Sequence, residues 1–423
     1  MKRDMRVNAA KGESHMKTVM KAFALALAVS AALSAPAFAA DVQSVSRLAF
    51  GPGNILFVAD WKAAEVHALQ LPPSSTKNDS TFNLLELSGP IRAAIKADSF
   101  RLEDMAVRPG TGEAYLAVSY GADRKPAILV VTADAKVKRL DLAKTKSSAA
   151  KLVDPPTGNL SFWNRNPERS FTVTAMKWRD GELYVSGLSN QNFASTLRRI
   201  PYPFGGGQTT TSIEIYHTSH GQIETRAPIR TMTFVELSGR PYLLAAYLCT
   251  PLVTIPLDEL KDGAHVRGKT IAELGYGNTP LDLLNFSLTD NGKTTNYVLL
   301  TNVNRNGETV PLDSIAAANA QPGMDNPVQF GQIEGVPVVQ APLSGVVHLD
   351  NYNDDFFLAL RRDPASGEAQ LVTFSKQFNT RVTDHLDEYD FPSYMYPSGF
   401  QTDYIKPLLH RFMRDEGFKD IVR

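Results

Sequence analysis

The sequence predicts an all-β fold: a β-propeller of six blades, with seven as the alternative count, followed by a C-terminal extension rich in aromatic residues and proline. A strand–turn–strand unit recurs along the chain, and almost no helical periodicity lies between its copies. The 423 residues include 28 Gly and 26 Pro, which supply the many turns that short strands need. A pair of β-sandwiches is the competing architecture, because short strands alone fit both. The regular repetition of one unit favours the propeller.

The recurring unit consists of an apolar strand, a turn containing Gly or Asp, and a second apolar strand. Its first copy is Ser46–Phe50, a turn at Gly51–Asn54, and Ile55–Asp60. Each interval between copies has room for four strands of five or six residues with their loops. The two longest intervals keep the seven-blade count open. The residues that precede the successive turns are Phe50, Val107, Trp178, Phe234, Phe286 and Leu349.

The N-terminal segment predicts export. Lys17 and Lys21 precede an apolar run at Phe23–Leu33, and Ala37-Phe38-Ala39 is a small-x-small cleavage pattern. Residues 1–39 are therefore predicted to be an upstream leader and a signal peptide cleaved after Ala39, which would place the protein in the periplasm or outside the cell. The apolar run is too short to span about 30 Å of hydrocarbon, so no transmembrane segment is predicted in the mature chain.

The remaining chain divides into a predicted propeller over residues 40–374 and an extension over residues 375–423 that is expected to pack on it. The extension contains an aromatic and proline-rich stretch at Tyr389–Pro397 and weak helical spacing from Tyr404 to Phe418. An interaction scaffold that uses the aromatic stretch as an adhesive patch is a third reading of the chain.

The charge excludes a nucleic-acid-binding protein, and the cysteine content excludes a fold held together by internal disulfides. Lys+Arg and Asp+Glu both number 44, so the net charge is zero and no basic excess is present to bind nucleic acid. The single cysteine, Cys249, cannot form an internal disulfide, so the exported fold must depend on burial of its core.

Two stretches resemble known proteins. Leu48–Asp60 is similar to the first two strands of blades in the NHL and gluconolactonase-like propeller superfamily. A second set of stretches resembles uncharacterised exported bacterial propeller proteins, for which no activity is known. These stretches are Leu188–Asn190, Ser195–Pro201 and Cys249–Val253. In the gluconolactonase-like enzymes a metal-binding Glu lies next to a Gly-Pro pair early in the first blade, whereas Phe50 precedes Gly51-Pro52 here. That departure counts against lactonase activity.

Propeller geometry nominates a ligand site, because the loops between second and third strands and those between blades share one face around the axial channel. Carboxylates, amides and arginines in such a ring suit an oxyanion or a hard cation such as Ca²⁺. The alternative is that these side chains satisfy buried turns and hydrogen bonds between blades. The predicted ligand-binding residues are Asp60, Asp104, Tyr120, Asn190, Arg226, Thr250, Asn278, Asp282, Asn302 and Arg361.

A second candidate site is the pair His217 and His220 together with Cys249. Histidines three apart point to opposite faces of a strand, so they can share one ion only if the segment turns, which Gly221 permits. Two imidazoles and a thiolate would suit Zn or Cu. Surface or loop-packing histidines and a core-filling cysteine are the alternative.

No nucleophile elbow, phosphate-binding loop or haem motif occurs in the sequence. The function predicted from sequence is therefore an exported propeller that binds a small ligand or an exported protein partner at its polar channel face. The alternative is a metal-dependent hydrolase of a lactone or ester, with Ca, Zn or Cu as the candidate ions.

Overall fold

The computed structural model describes residues 38, 39 and 41–377, except 163–165, 276–278, 304–306, 330–331, 342, 344 and 364–365, together with residues 403 and 407. Within these residues the fold is all-β and propeller-like. Nearly all of its strands lie in four sheets of four or five strands and one sheet of ten strands, in which residues 212–215 pair in parallel with residues 265–268. We describe the two antiparallel halves of the ten-stranded sheet separately and number the resulting arrays sheets 1 to 6 in the chain order of their innermost strands. The predicted extension beyond residue 377 lies outside the described residues apart from 403 and 407.

The first three sheets are formed by residues 38–224, and each is given from its innermost strand outward. Sheet 1 contains Leu48–Phe50, Ile55–Asp60, Glu65–Gln70, Lys146–Lys151 and Phe38–Ala39. Sheet 2 contains Phe100–Val107, Glu113–Tyr120, Lys125–Thr132 and Val137–Arg139. Sheet 3 contains Ala175–Arg179, Glu182–Leu188, Ser195–Pro201, Thr209–His217 and Gln222–Glu224.

The other three sheets follow in the same order of strands. Sheet 4 contains Thr231–Leu237, Arg240–Ala246, Pro251–Pro256, His265–Leu274 and Ile333–Glu334. Sheet 5 contains Pro280–Asp290, Lys293–Asn302, Gly307–Pro311 and Val339–Ala341. Sheet 6 contains Val346–Asn351, Phe356–Arg362, Ala369–Ser375 and Asn83–Leu84.

The sheets pack side by side in an order that differs from their order in the chain. Contacts between the innermost strands and the shared apolar clusters place sheet 2 between sheets 1 and 6, and sheet 1 between sheets 2 and 3. From sheet 3 onward the neighbours follow the chain through sheets 4, 5 and 6. The cycle of contacts is therefore closed, with sheets 1 and 2 exchanged relative to a sequential propeller.

Two strand exchanges accompany this order. Lys146–Lys151, which follows sheet 2 in the chain, returns to pair with Glu65–Gln70 of sheet 1. Asn83–Leu84 pairs with Ala369–Ser375 and so belongs to sheet 6. The segment therefore does not complete the sheet that precedes it in the chain, because it crosses to sheet 6 before sheet 2 begins.

Local sequence explains the hairpins. Asp180-Gly181, Ser238-Gly239 and Asn291-Gly292 all have positive φ at both residues, the conformation of a two-residue type I′ turn that matches strand twist. Ile55–Asp60 is buried along its whole length, because one face packs toward sheet 2 and the other toward sheet 3. Burial between neighbouring sheets, rather than one face turned to solvent, therefore explains its continuous apolar sequence.

Helical segments are short. Helices α1 (Ser88–Ile95) and α2 (Leu312–Asn319) each have eight residues, and 3₁₀ turns occupy Glu168–Phe171 and Leu257–Glu259. Helix α1 buries Ile91 and Ile95 in the cluster shared by sheets 2 and 6. In the described part of the chain, no helix combines the length and the apolar character that crossing a bilayer requires.

Candidate functional site

The innermost strands of all six sheets surround an axial cavity of about 730 Å³. A smaller cavity of about 190 Å³ lies beside it, and the residues that line it include Trp61, Glu103 and Phe171. Arg47 and Arg230 line both cavities, so they lie at the boundary between the two. The charged side chains that line the larger cavity are Arg47, Asp104, Lys177, Arg230, Asp282, Asp350, Asp354 and Lys376.

Two arginines lie at this boundary. Arg47 donates hydrogen bonds from Nε to the carbonyl oxygen of Thr174 (2.6 Å) and from Nη1 to that of Glu103 (2.9 Å). The Nε atom of Arg230 is buried and has no hydrogen-bond partner among the described residues. Burial, together with the positive charge of Arg47, lowers the pKa of Arg230 to about 10. The boundary therefore concentrates positive charge, beside the carboxylates of Glu103 and Asp104, which line the same two cavities.

A cluster of two carboxylates and an imidazole lies in the axial region. The Nδ1 atom of His348 is 3.2 Å from Oδ1 of Asp104 and 3.4 Å from Oδ2 of Asp282. Burial acts to lower the pKa of His348, but the negative charges of Asp282 and Asp104 outweigh it and raise that pKa. Burial raises the pKa of Asp104, whereas His348 lowers that of Asp282 despite its burial. The cluster is thus best described as an imidazolium held between two acids.

The same carboxylates tie neighbouring sheets together. Asp104 accepts a hydrogen bond from the Leu48 amide (2.7 Å), joining sheets 2 and 1. Asp282 accepts one from the Leu349 amide (2.9 Å), joining sheets 5 and 6. Asp350 accepts one from the amide of Val107 (2.9 Å), joining sheets 6 and 2.

Three further hydrogen bonds complete the circuit between neighbouring sheets. Arg47 bonds Thr174 between sheets 1 and 3, and the Thr174 hydroxyl donates to the carbonyl oxygen of Ile229, just before the first strand of sheet 4. Asn285 of sheet 5 donates from Nδ2 to the carbonyl oxygen of Phe234 in sheet 4. Polar groups around the axis therefore hold the ring closed as well as lining the cavity.

Of the predicted ligand-binding residues, only Asp104 and Asp282 line the axial cavity within the described part of the chain. Asn278 lies outside the described residues. The others contact neighbouring residues outside that cavity. Asp60, for example, is fully buried and accepts hydrogen bonds from the Ser44 hydroxyl and from the amides of Gln43, Lys62 and Ala63.

The remaining predicted residues have these surroundings. Arg139 lies 5.2 Å from the ring of Tyr120, and the amide of Asn190 donates to the carbonyl oxygen of Asp154. Arg226 pairs with Glu168 at 2.8 Å, and Thr250 donates to the carbonyl oxygen of Gly275. Asn302 donates to Glu308, and Arg361 lies 5.7 Å from the ring of Phe374.

Sequence reasoning missed Arg47, Arg230 and His348. Arg47 and Arg230 stand directly before the first strands of their sheets, so a search of the residues that precede each repeat would have found them. His348 lies inside the strand Val346–Asn351, where the pairing with Phe356–Arg362 shifts register between Val346 and His348. A bulge of this kind redirects a side chain and leaves no signal in the apolar pattern.

The second predicted site is assembled by a turn. The amides of His220 (3.2 Å) and Gly221 (2.8 Å) both donate to the carbonyl oxygen of His217, which folds the segment back. The two imidazole rings then lie 4.0 Å apart between centroids. One ligand atom from each of His217, His220 and Cys249 lies within 4.8 Å of the others.

Glu224 and Glu273 determine the electrostatics of this second cluster. Oε2 of Glu224 is 2.8 Å from Nδ1 of His217, and Oε1 is 2.5 Å from Nδ1 of His220. Burial acts to lower the pKa of His217, but Cys249, Glu224 and Glu273 outweigh it and raise the pKa to about 9. Both histidines lower the pKa of Glu224 to about 2 against the effect of its burial. The cluster therefore carries a negative carboxylate next to two imidazoles.

No protein-family model and no curated protein matches the chain. Among solved structures, the first two extracellular domains of Drosophila Semaphorin 1b are similar over 80% of this chain and 86% of that chain, at 9% identity and a TM-score of 0.36. Drosophila Plexin A in complex with Semaphorin 1b gives the same coverage at 10% identity and a TM-score of 0.35. Likenesses this distant carry no functional argument. The propeller assignment rests on the sheet pairings, and the NHL and gluconolactonase-like resemblance stays a prediction.

Proposed function

We propose that this protein is an exported, six-bladed propeller that binds a small organic anion in its axial cavity. The observation that carries the proposal is the pair Arg47 and Arg230 at the boundary of the two cavities, where the Arg230 Nε atom is buried without a hydrogen-bond partner. A buried guanidinium nitrogen without a hydrogen-bond partner is costly, and a carboxylate or phosphate of the ligand would remove that cost by accepting its N–H group.

The cavity supports a small ligand over a protein partner. A volume of about 730 Å³ falls in the range of pockets that enclose small molecules. The mixture of arginines with Asp104, Asp282 and Asp350 favours a ligand that carries hydroxyl donors as well as an anionic group, because carboxylates accept hydrogen bonds from hydroxyls. Sugar acids and hydroxy acids combine these groups.

Calorimetric titration of the purified protein with gluconate, citrate and phosphate tests the proposal. We expect at least one of these anions to bind, and Arg230→Gln to weaken that binding at least tenfold because a charge-assisted hydrogen bond is lost. Arg230 is the preferred variant, because Arg47 also ties sheets 1 and 3 together.

Arg226→Gln is the matched control. Arg226 is also an arginine, but it pairs with Glu168 and lies outside the axial cavity among the described residues. Equal affinity in wild type and Arg230→Gln, or failure of all three anions to bind, would contradict the proposed site.

A metal-dependent hydrolase is the second candidate, favoured by the Asp104, Asp282 and His348 atoms that lie within 4.8 Å of one another. A cation there would have to displace the proton that the two carboxylates favour on His348. Titration with Ca²⁺ and Zn²⁺, followed by a lactone and ester hydrolysis assay, tests it. Hydrolysis that requires the ion and is lost in Asp282→Asn would support this candidate over simple binding.

The six-blade count and the export of the chain are parts of the same proposal. Six antiparallel arrays of four or five strands support the count, with two of them joined by a parallel strand pairing. The pattern at Ala37–Ala39 supports cleavage after Ala39. Mass spectrometry of the protein recovered from the periplasm or medium checks this, and a mature N-terminus other than Ala40 would overturn the predicted cleavage position.

A further inference from the structure

We propose that His217, His220 and Cys249 bind one metal ion with a filled d shell, Zn²⁺ or Cu⁺, at a site separate from the axial cavity. The three residues come from two sheets: His217 ends the outermost strand of sheet 3, and Cys249 lies between the second and third strands of sheet 4. Two imidazoles and a thiolate are the ligands that these ions prefer.

Glu224 orients both histidines for this task. It engages the Nδ1 atoms of the two rings, at 2.8 and 2.5 Å, which leaves Nε2 of His217 as the nitrogen for an ion. Histidines that bind metals commonly donate their other N–H group to a carboxylate, which fixes the tautomer and strengthens the ligand. One carboxylate that serves two histidines is difficult to explain by packing alone.

His217 supplies the observation that points to a ligand. The residue is only 2% exposed, and its Nε2 atom is buried with no hydrogen-bond partner among the described residues. An unsatisfied buried ring nitrogen is costly, and coordination of an ion would satisfy it.

Cys249 reaches the cluster through a strained turn. Cys249 and Thr250 have φ values of 63° and 64°, a conformation that non-glycine residues adopt rarely and that concentrates at functional sites. Hydrogen bonds from the Thr250 amide to Tyr247 and from the Thr250 hydroxyl to Gly275 hold the turn in place. These two hydrogen bonds therefore fix the position of the Cys249 thiol.

The spacing fits binding with a small contraction. Tetrahedral coordination at about 2.0–2.3 Å places ligand atoms about 3.3–3.6 Å apart. The three ligand atoms lie within 4.8 Å of one another, so no pair has to approach by more than about 1.5 Å, which side-chain rotation can supply. Cys249 is half-buried and His220 is exposed, so an ion can enter from solvent and a fourth position is open to water.

Binding requires the thiolate form of Cys249. The S–H bond breaks, sulfur keeps the electron pair and shares it with the ion, and the proton passes to solvent. The raised pKa of His217 means that its Nε2 also carries a proton at neutral pH. This N–H bond breaks as well, nitrogen keeps the electron pair for the ion, and the second proton passes to solvent. No electron transfer is involved, because Zn²⁺ and Cu⁺ bind without a change of oxidation state.

Titration of the purified, reduced chain tests the site with three probes. Co²⁺ reports a thiolate ligand through a sulfur-to-metal charge-transfer band, Zn²⁺ is followed by displacement of Co²⁺, and Cu⁺ is followed by anaerobic competition with a chromophoric chelator. We expect one ion per chain. His220→Gln should weaken binding at least 100-fold, Cys249→Ser should remove the charge-transfer band, and Glu224→Gln should weaken binding 10- to 100-fold through loss of orientation.

His265→Gln is the matched control, because His265 also contacts a glutamate, Glu214, at 3.0 Å but lies outside the cluster. Protection of Cys249 from alkylation by added Zn²⁺ or Cu⁺ gives a second measurement on the unaltered chain, independent of whether a variant folds. Failure to form a one-to-one complex, or unchanged affinity in Cys249→Ser, would overturn the proposal. Either result leaves the axial anion site untouched, because Arg230 is not part of this cluster.

Discussion

The molecule contains two clusters in which histidine contacts carboxylate. They differ in which ring nitrogens the carboxylates contact. Around the axis, Asp104 and Asp282 face the same nitrogen of His348 and also accept amide hydrogen bonds from neighbouring sheets. Between sheets 3 and 4, a single glutamate takes one nitrogen from each of two histidines. In the first cluster two carboxylates share one imidazolium, whereas in the second the Nε2 atom of His217 has no hydrogen-bond partner among the described residues.

This difference shows that residue composition alone does not identify a metal site. Both clusters satisfy a simple distance requirement, because three ligand atoms lie within 4.8 Å in each. The pattern of hydrogen bonds separates an ion pair that stabilises the ring from ligands oriented for an ion. Four predictions test the distinction, beginning with the largest expected effect.

Replacement of His348 by leucine should cost about 3–5 kcal/mol in the free energy of unfolding, because two buried carboxylates would lose their shared counter-charge. Urea denaturation at pH 7 measures it. His265→Leu, which removes a half-exposed ion pair, should cost about 1 kcal/mol or less. Comparable losses in the two variants would mean that the axial cluster is not a structural ion pair.

Zinc should stabilise the wild-type chain and not Cys249→Ser. At a free concentration one hundred times the dissociation constant, linkage predicts about 2.7 kcal/mol. Thermal unfolding with zinc and with chelator measures the shift. An equal shift in Cys249→Ser would show that zinc binds elsewhere, including at the axial cluster.

Asp60 is a third carboxylate near histidine, and its effect should depend on pH. Burial acts to raise the pKa of Asp60, but the nearby His67, 3.8 Å away, and hydrogen bonds from Ser44 and the backbone lower it below 3.8. This stabilisation is present above pH 3.8 and is lost as the pH falls through the lower folded-state pKa. Asp60→Asn should therefore cost about 2 kcal/mol at neutral pH.

The cost of Asp60→Asn should shrink as the pH is lowered below 3.8 toward the folded-state value. Denaturation at pH 7, 4 and 3 follows the difference between wild type and variant. A difference that is constant over this range would show that ionisation of Asp60 does not contribute.

Loss of one hydrogen bond between uncharged groups around the axis should have the smallest effect on the free energy of unfolding. Asn285→Ala removes the hydrogen bond to the Phe234 carbonyl and should cost about 1 kcal/mol. Asn296→Ala in the same sheet, whose side chain accepts only from exposed Ser287, should change stability by about 0.5 kcal/mol or less. If the two variants lose equal stability, hydrogen bonds between uncharged groups do not help to hold the ring of sheets together.

The strand units were predictable from sequence, whereas their arrangement was not. Apolar runs such as Ile55–Asp60 and turns such as Asp180-Gly181 are local, so composition and spacing reveal them. The pairing of Asn83–Leu84 with sheet 6 joins residues far apart in the chain, and two residues carry too little pattern to specify a partner. His217, His220 and Cys249 could be grouped because Gly221 signals the turn, whereas His348 could not because its bulge is a property of the folded strand pair.

The crossing of Asn83–Leu84 into sheet 6 also affects how the protein is made. This segment leaves the ribosome long before its partner, Ala369–Ser375. Until then Phe82, Ile91 and Ile95 lack the sheet 6 side chains that bury them in the finished fold. A nascent or truncated chain that ends before residue 369 would expose this apolar segment to chaperones and proteases. Cellular quality control can therefore distinguish complete molecules from unfinished ones.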